Sequence, residues 1–318
     1  MLKEDFKATV VKYHAYKSNT TLAIWTLSRV IALTAMSVVL SLSSMTLVWL
    51  VGQCLFAIAV LQWFVLLHDF GHNVFFKSGT ANWIWGHVAS IFCLVPFTPW
   101  KFIHAQHHTW TGWQDKDPTM ESTLPQNGNN SRRKVARFAW RWWIPVLAIS
   151  FSVKNFWNMP RLFRLFPRTK ERWQFVFSFL VMQLTFWVIF PHTPHIWKIW
   201  TVGYLLFLVI ADPLLISQHS HVPQKIAGSE EVRPVPVYEQ DQFTRTLFFP
   251  PFVSKYILLS FDAHGPHHIW PKIPCYFLPM VKVRSANDAD WYSWLKEAKA
   301  LPADQILFSN REETGWNI

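Results

Sequence analysis

The chain has 318 residues, 51% of them hydrophobic and 17% aromatic, with a formal net charge of +11. Twenty tryptophans and twenty-seven phenylalanines exceed what a water-soluble core of this size needs, and flat amphipathic rings favour the membrane–water interface. Cys54, Cys93 and Cys275 lack pair spacing, which argues against a disulfide framework or a zinc ribbon, and Lys and Arg beside apolar runs suit an anionic membrane surface better than nucleic acid.

The first 21 residues are polar and charged, so no cleavable signal peptide is expected and the first span acts as its own insertion signal. From Val30 to Leu67 run 38 residues without a charge. As one helix they would reach roughly 57 Å, against a hydrocarbon core of about 30 Å. Two spans are therefore expected, at 24–42 and 47–67, turning at Ser41–Thr46. The apolar stretches 83–97 and 142–153 are too short to cross and should dip into the interface or cover a water-facing part. The basic aromatic runs 132–143 and 161–173 read as surface helices on the headgroups. A second hairpin is expected at 174–191 and 196–217, turning at Pro191–His195, with Asp212 and Pro213 near its end. The segment 232–240 reads as an extended connection. The expected fold is an all-α integral membrane protein. Its single domain over 1–318 has four spans in two hairpins, and a helical cap of 68–173 and 218–318.

Fourteen of the thirty Lys and Arg fall between 68 and 172, ten after 218 and five before residue 30, leaving only Lys198 at the external turns. The positive-inside rule then places both termini and the cap in the cytoplasm.

Histidines cluster at the ends of the apolar runs on that side: "HDFGH" (68–72), "HAQHH" (104–108), "QHSH" (218–221) and "HGPHH" (264–268). On a helix His68 and His72 share a face, as do His104, His107 and His108. One zinc takes four ligands, too few for this set, so two adjacent metals are the economical reading. Imidazole suits iron, copper, nickel and zinc, and ligand type alone leaves the metal open. His14, His87, His192 and His195 lack the spacing and are read as ordinary residues.

The pattern HxxxH, HxxHH, HxxHH over this layout resembles the integral-membrane fatty acid desaturase family, from about residue 22 to about 285. "HDFGH", "PWKFIHAQHHTWTGWQDKDP" and "HGPHHIWPKIPCYFLP" are most similar to the acyl-lipid Δ12 and ω-3 desaturases, and "QHSH" to their additional histidine element. The resemblance implies a non-haem di-iron centre held by His68, His72, His104, His107, His108, His264, His267 and His268, with His221, ahead of His219, as the ninth ligand. Asp69, Asp115, Asp117 and Asp262 are candidates to hold the ligands' second nitrogens, although ordinary solvated carboxylates fit Asp115 and Asp117 as well.

The implied reaction is O2-dependent insertion of a cis double bond into a long fatty acyl group in the membrane, beyond carbon nine. A hydroxylase, acetylenase or terminal-alkene-forming decarboxylase would share the same boxes, and a histidine-rich metal transporter is the alternative from another class. No flavin, nicotinamide or iron–sulfur motif is present in the sequence, so an electron donor such as ferredoxin or cytochrome b5 is implied, and the lack of a transit extension favours a bacterial inner membrane over the endoplasmic reticulum. Oligomeric state stays open.

Overall fold

The computed structural model describes residues 13, 15–316 and 318. His14 lies outside them.

Four helices are long and apolar enough to span a membrane: α1 (Thr20–Ser41), α2 (Thr46–His72), α8 (Thr169–His192) and α9 (Ile196–His219). Asn19 caps α1 by accepting the Leu22 N–H at 3.0 Å. Asn73, with φ of 62°, ends α2 one residue after the first histidine box. The α1–α2 hairpin is tight because Gly52 lets the helices meet, a Cβ there falling 2.6 Å from the Ser41 nitrogen. Gln53, fully buried, donates to Ser41 Oγ and to the Lys198 and Ile199 carbonyls, and accepts from the Gly203 N–H. A buried amide unpaired in lipid would cost several kcal/mol, so this fourfold satisfaction fixes α9 against α2.

The stretch expected to dip is α3 (Gly79–Cys93), bent by 100° from α4 (Phe97–Trp110), which carries the second box. At 15 residues α3 is about 22 Å long, short of the core thickness. The run at 132–143 forms α5 (Asn130–Arg141), with Val135 and Phe138 pointing outward at 52% and 60% exposure. A short α6 (Val146–Ser152) follows.

The run at 161–173 departs from expectation. It breaks at Pro167 into α7 (Met159–Leu165) and the start of α8, since the residue before a proline resists helix. Arg161, read as a headgroup contact, is buried. Its guanidinium donates to the Pro118 carbonyl at 2.7 Å and to Glu121 at 2.9 Å.

Asp212 inside α9 has a structural partner: its carboxylate accepts the Ala148 N–H at 2.5 Å, satisfying a first-turn donor of α6. The remainder of the cap holds α10 (His264–Ile269), α11 (Trp291–Ala300) and a two-residue parallel pairing of Leu247–Phe248 with Ala289–Asp290. The segment after 232 is extended only at first, turning into a 3-10 helix at Val237–Phe243.

Candidate metal centre

The first box lies on the last turn of α2, the second on α4, and the third is α10 itself, so three helix ends converge below the spans. Nine imidazoles meet there in two groups whose nitrogens lie within 4.8 Å of one another. His68, His72, His104, His108 and His267 form one; His107, His219, His264 and His268 form the other. The second group is entirely buried, while His72, His104 and His108 of the first are partly open.

Inside the groups, nitrogen faces nitrogen. Nε2 of His104 stands 2.9 Å from Nε2 of His72 and 3.1 Å from that of His108, and His108 Nε2 is 3.0 Å from His267 Nε2. His264 Nε2 lies 2.7 Å from His219 Nε2 and 3.0 Å from His268 Nε2. On the outward side, partners fix the tautomer. His107 Nδ1–H donates to Asp117 Oδ2 at 2.6 Å, His219 Nδ1–H to the Phe243 carbonyl at 3.0 Å, and His268 Nδ1–H to Gln240 Oε1 at 3.1 Å. Each of those rings then turns an Nε2 lone pair inward, where neutral neighbours offer lone pairs too. Such a set is complete only around cations. His68 Nε2, buried without a hydrogen-bond partner among the described residues, fits the same demand. Burial, then the neighbouring imidazoles, holds His264, His267 and His268 well below the usual histidine range, which favours the neutral imidazole.

The structure separates the candidates for the ninth position. His219 belongs to the second group; His221 does not. α9 ends at His219, and His221 takes a left-handed φ of 65° that swings its ring to Thr314 Oγ1, 2.7 Å from Nε2. Of the two, His219 alone stands among the grouped imidazoles.

The aspartates divide as well. Asp69 lies 3.4 Å from His68 Nδ1 and accepts the Cys275 N–H at 2.7 Å, tying the first box to the chain beyond the third. Burial pushes Asp117 up, but His107 and the Thr119 N–H prevail and hold its carboxyl below the usual range. Asp115 instead accepts the Ala227 and Gly228 N–H groups, and Asp262 accepts from Ser254 Oγ, with burial pushing it up to about 6. Neither reaches an imidazole. His87 bridges the Trp83 carbonyl and Ser178 Oγ, as an ordinary packed histidine does.

Sequence reasoning missed Gln240, which donates to the His108 carbonyl while holding His268, and Thr119, whose hydroxyl donates to Asp117. It also missed Arg161, which grips the Pro118–Glu121 loop that carries Asp117's neighbours. Gln240 sits in a loop with no periodic signal to announce it.

Asp117→Asn should lower metal affinity about 10- to 100-fold, the usual cost of losing a partner that orients a ligand. Dialysis against a chelator measures it; iron loss at the wild-type rate would remove Asp117 from this role. Gly71 faces Trp100, whose ring stacks on His104 at 4.5 Å, and a Cβ at Gly71 would fall 2.3 Å from that ring. Overpacking costs about 1–3 kcal/mol and the helical gain of alanine is only about 0.5–1 kcal/mol, so Gly71→Ala should destabilise. A lower thermal midpoint in detergent is the expected result, and an unchanged one would show that Trp100 is free to move.

A cavity of about 800 Å3 opens beside the histidines, with His68, His104, His107, His219 and His264 on its wall. Phe64, Trp100, Ile103, Phe261, Leu215 and Ile216 make that wall apolar. The volume falls within the roughly 300–1,000 Å3 of small-molecule sites.

Four apolar spans, a helical cap and two adjoining groups of imidazoles define a membrane metalloprotein with a di-metal centre. The model of the fatty acid desaturase family matches residues 44–296, and the chain belongs to that family. The two groups of imidazoles are the donor set of that family's di-iron centre. Among curated relatives, the chloroplastic omega-6 fatty acid desaturase of Spinacia oleracea is 27% identical over 260 residues, covering 76% of this chain and 54% of that protein. The sn-1 oleoyl-lipid 12-desaturase of Picosynechococcus sp. is 24% identical over 253 residues, 74% of this chain and 68% of that one. The sn-1 acyl-lipid omega-3 desaturase (ferredoxin) of Synechocystis sp. is 38% identical over 108 residues, covering 31% and 26%. The chain spans about half the length of the plant relatives it matches.

Proposed function

We propose that the protein is an O2-dependent fatty acyl desaturase whose two irons are held by His68, His72, His104, His107, His108, His219, His264, His267 and His268. The observation that carries this reading is an apolar cavity ending on the two imidazole groups. An unactivated methylene is beyond acid–base chemistry, so the bound irons with O2 supply the oxidising power. Per turnover the acyl chain gives up two hydrogens, an outside donor gives two electrons with two protons, and O2 leaves as two waters.

The chain's own residues position and shelter. Trp100 and Phe261 stand 5.6 and 6.0 Å from the His68 ring, and Phe64 packs edge-on against both. This aromatic wall excludes water and holds a methylene against the imidazole groups, which is what selects one carbon among many alike. The Δ12 and oleoyl-lipid names of relatives support a new bond beyond carbon nine. The ferredoxin in the name of the Synechocystis relative supports a small electron-transfer protein as donor, ferredoxin or cytochrome b5.

The histidine side of the membrane is read as cytoplasmic from the placement of Lys and Arg. Reporter fusions at Lys77, Arg168 and Lys255 should all report cytoplasm, and a signal from the other side at any of them would overturn this orientation. The function is tested by expression in a host that makes only saturated and monounsaturated fatty acids. A new diunsaturated acid that appears in air and not under nitrogen is expected; an unchanged profile in air would refute the reading.

A further inference from the structure

The cavity has two unlike ends. Its inner wall is imidazole and aromatic; its outer rim carries Asn127, Ser131, Arg132 and Lys154. Cations outnumber anions at this rim. Lys154 and Arg161 share one carboxylate, Glu121, at 3.0 and 2.9 Å. Arg132 donates to the Asn127 carbonyl at 3.1 Å and forms no ion pair with another described residue, so most of its guanidinium is uncommitted. Burial holds the Lys154 ammonium below the usual lysine range; Glu121 opposes this, and Arg161 and Arg132 add to it. Ser131 places a hydroxyl in the first turn of the twelve-residue α5, where the helix dipole also favours an anion.

The surroundings say from where such an anion comes. Val135, on the cavity lining, and Phe138, Ile149 and Val153, close in the chain to lining residues Ala136, Ala148, Ser150 and Lys154, are exposed at 52%, 60%, 44% and 54%. Large apolar side chains interleaved with Arg and Lys mark a face that lies among lipid headgroups. An acyl chain that reaches the irons through this mouth leaves its polar end at Arg132.

Resting on the acyl desaturase reading, we propose that Arg132 and Lys154, with the Ser131 hydroxyl, form a phosphate subsite for the headgroup of a glycerophospholipid whose acyl chain occupies the cavity. The substrate class is then a phospholipid, in preference to a glycolipid that has no phosphate. Guanidinium suits a phosphate because its fork of donors matches two phosphate oxygens.

Equilibrium binding to the purified iron-loaded protein in detergent tests this with three probes: dioleoyl-phosphatidylglycerol, monogalactosyl-dioleoylglycerol and oleoyl-CoA. The wild type should bind the phospholipid about tenfold more tightly than the galactolipid, the worth of one or two charge-assisted bonds. The double variant R132Q/K154Q should lose that margin without losing galactolipid binding, and R132K, which keeps the charge but not the fork, should keep only part of it. Lys134→Gln, on the same helix but away from the rim, should change nothing; an equal loss there would reduce the effect to general surface attraction and overturn the subsite. Tighter binding of oleoyl-CoA than of phospholipid would overturn the lipid source. Selective loss of phospholipid binding in the double variant, with no O2-dependent double bond made by the wild type, would sustain the subsite and refute the reaction. Equal turnover of galactolipid and phospholipid would do the reverse.

Discussion

Replacing His219 with alanine is expected to release iron and reduce turnover more than about 100-fold, whereas His221→Ala should keep both. Loss of a partner that merely orients a ligand costs about 10- to 100-fold, so loss of a ligand itself should exceed that. His219 Nε2 stands 2.7 Å from His264 Nε2, inside the buried group of four, and its Nδ1–H is held by the Phe243 carbonyl. Removing it leaves three imidazoles for one iron. His221 contributes a hydrogen bond with Thr314, worth about 1 kcal/mol of stability. Iron counted by mass spectrometry in both variants decides between them; loss of iron from His221→Ala with retention in His219→Ala would reverse the assignment.

The second large effect concerns the cavity. Ala148 lies on its wall, small and buried, with its N–H fixed by Asp212. A phenyl ring on this wall would take up part of the cavity. Ala148→Phe should cut turnover of eighteen-carbon chains by about 100-fold, because displacing a reacting group by about an ångström already costs that much. The histidines are not displaced, so iron content should stay at the wild-type level. Full activity with an intact iron count would show that the acyl chain takes another path.

These two tests touch the places where the sequence was least legible. The three boxes could be read directly, because histidines at i, i+3 and i+4 are too regular for packing and the apolar runs place them at helix ends. Choosing between His219 and His221 required knowing where α9 stops. One signal was available: Asp212, Leu215, Ile216 and His219 follow helical spacing, and all four line the cavity. His221 falls off that face.

Arg161 misled for a different reason. A basic residue amid apolar ones looks the same on a headgroup surface as in a buried network, and only the Pro118 carbonyl and Glu121 across the fold distinguish them. Gln240 carried no local signal at all, since its role depends on a loop returning to two boxes far away in the chain. The four spans were legible because twenty apolar residues are needed to cross a bilayer and few other structures require them.

In the proposed reaction this site removes two hydrogens from an acyl chain and leaves no oxygen behind. Purified iron-loaded protein should be supplied with an electron donor, 18O2 and an oleoyl phospholipid deuterated along its chain beyond carbon nine, and the acyl mass measured after turnover. The predicted product has lost two deuterium atoms and contains no 18O. An acyl group that gained 18O, lost four deuterium atoms or lost a carbon would rule out desaturation and place the same nine histidines in the service of a different reaction.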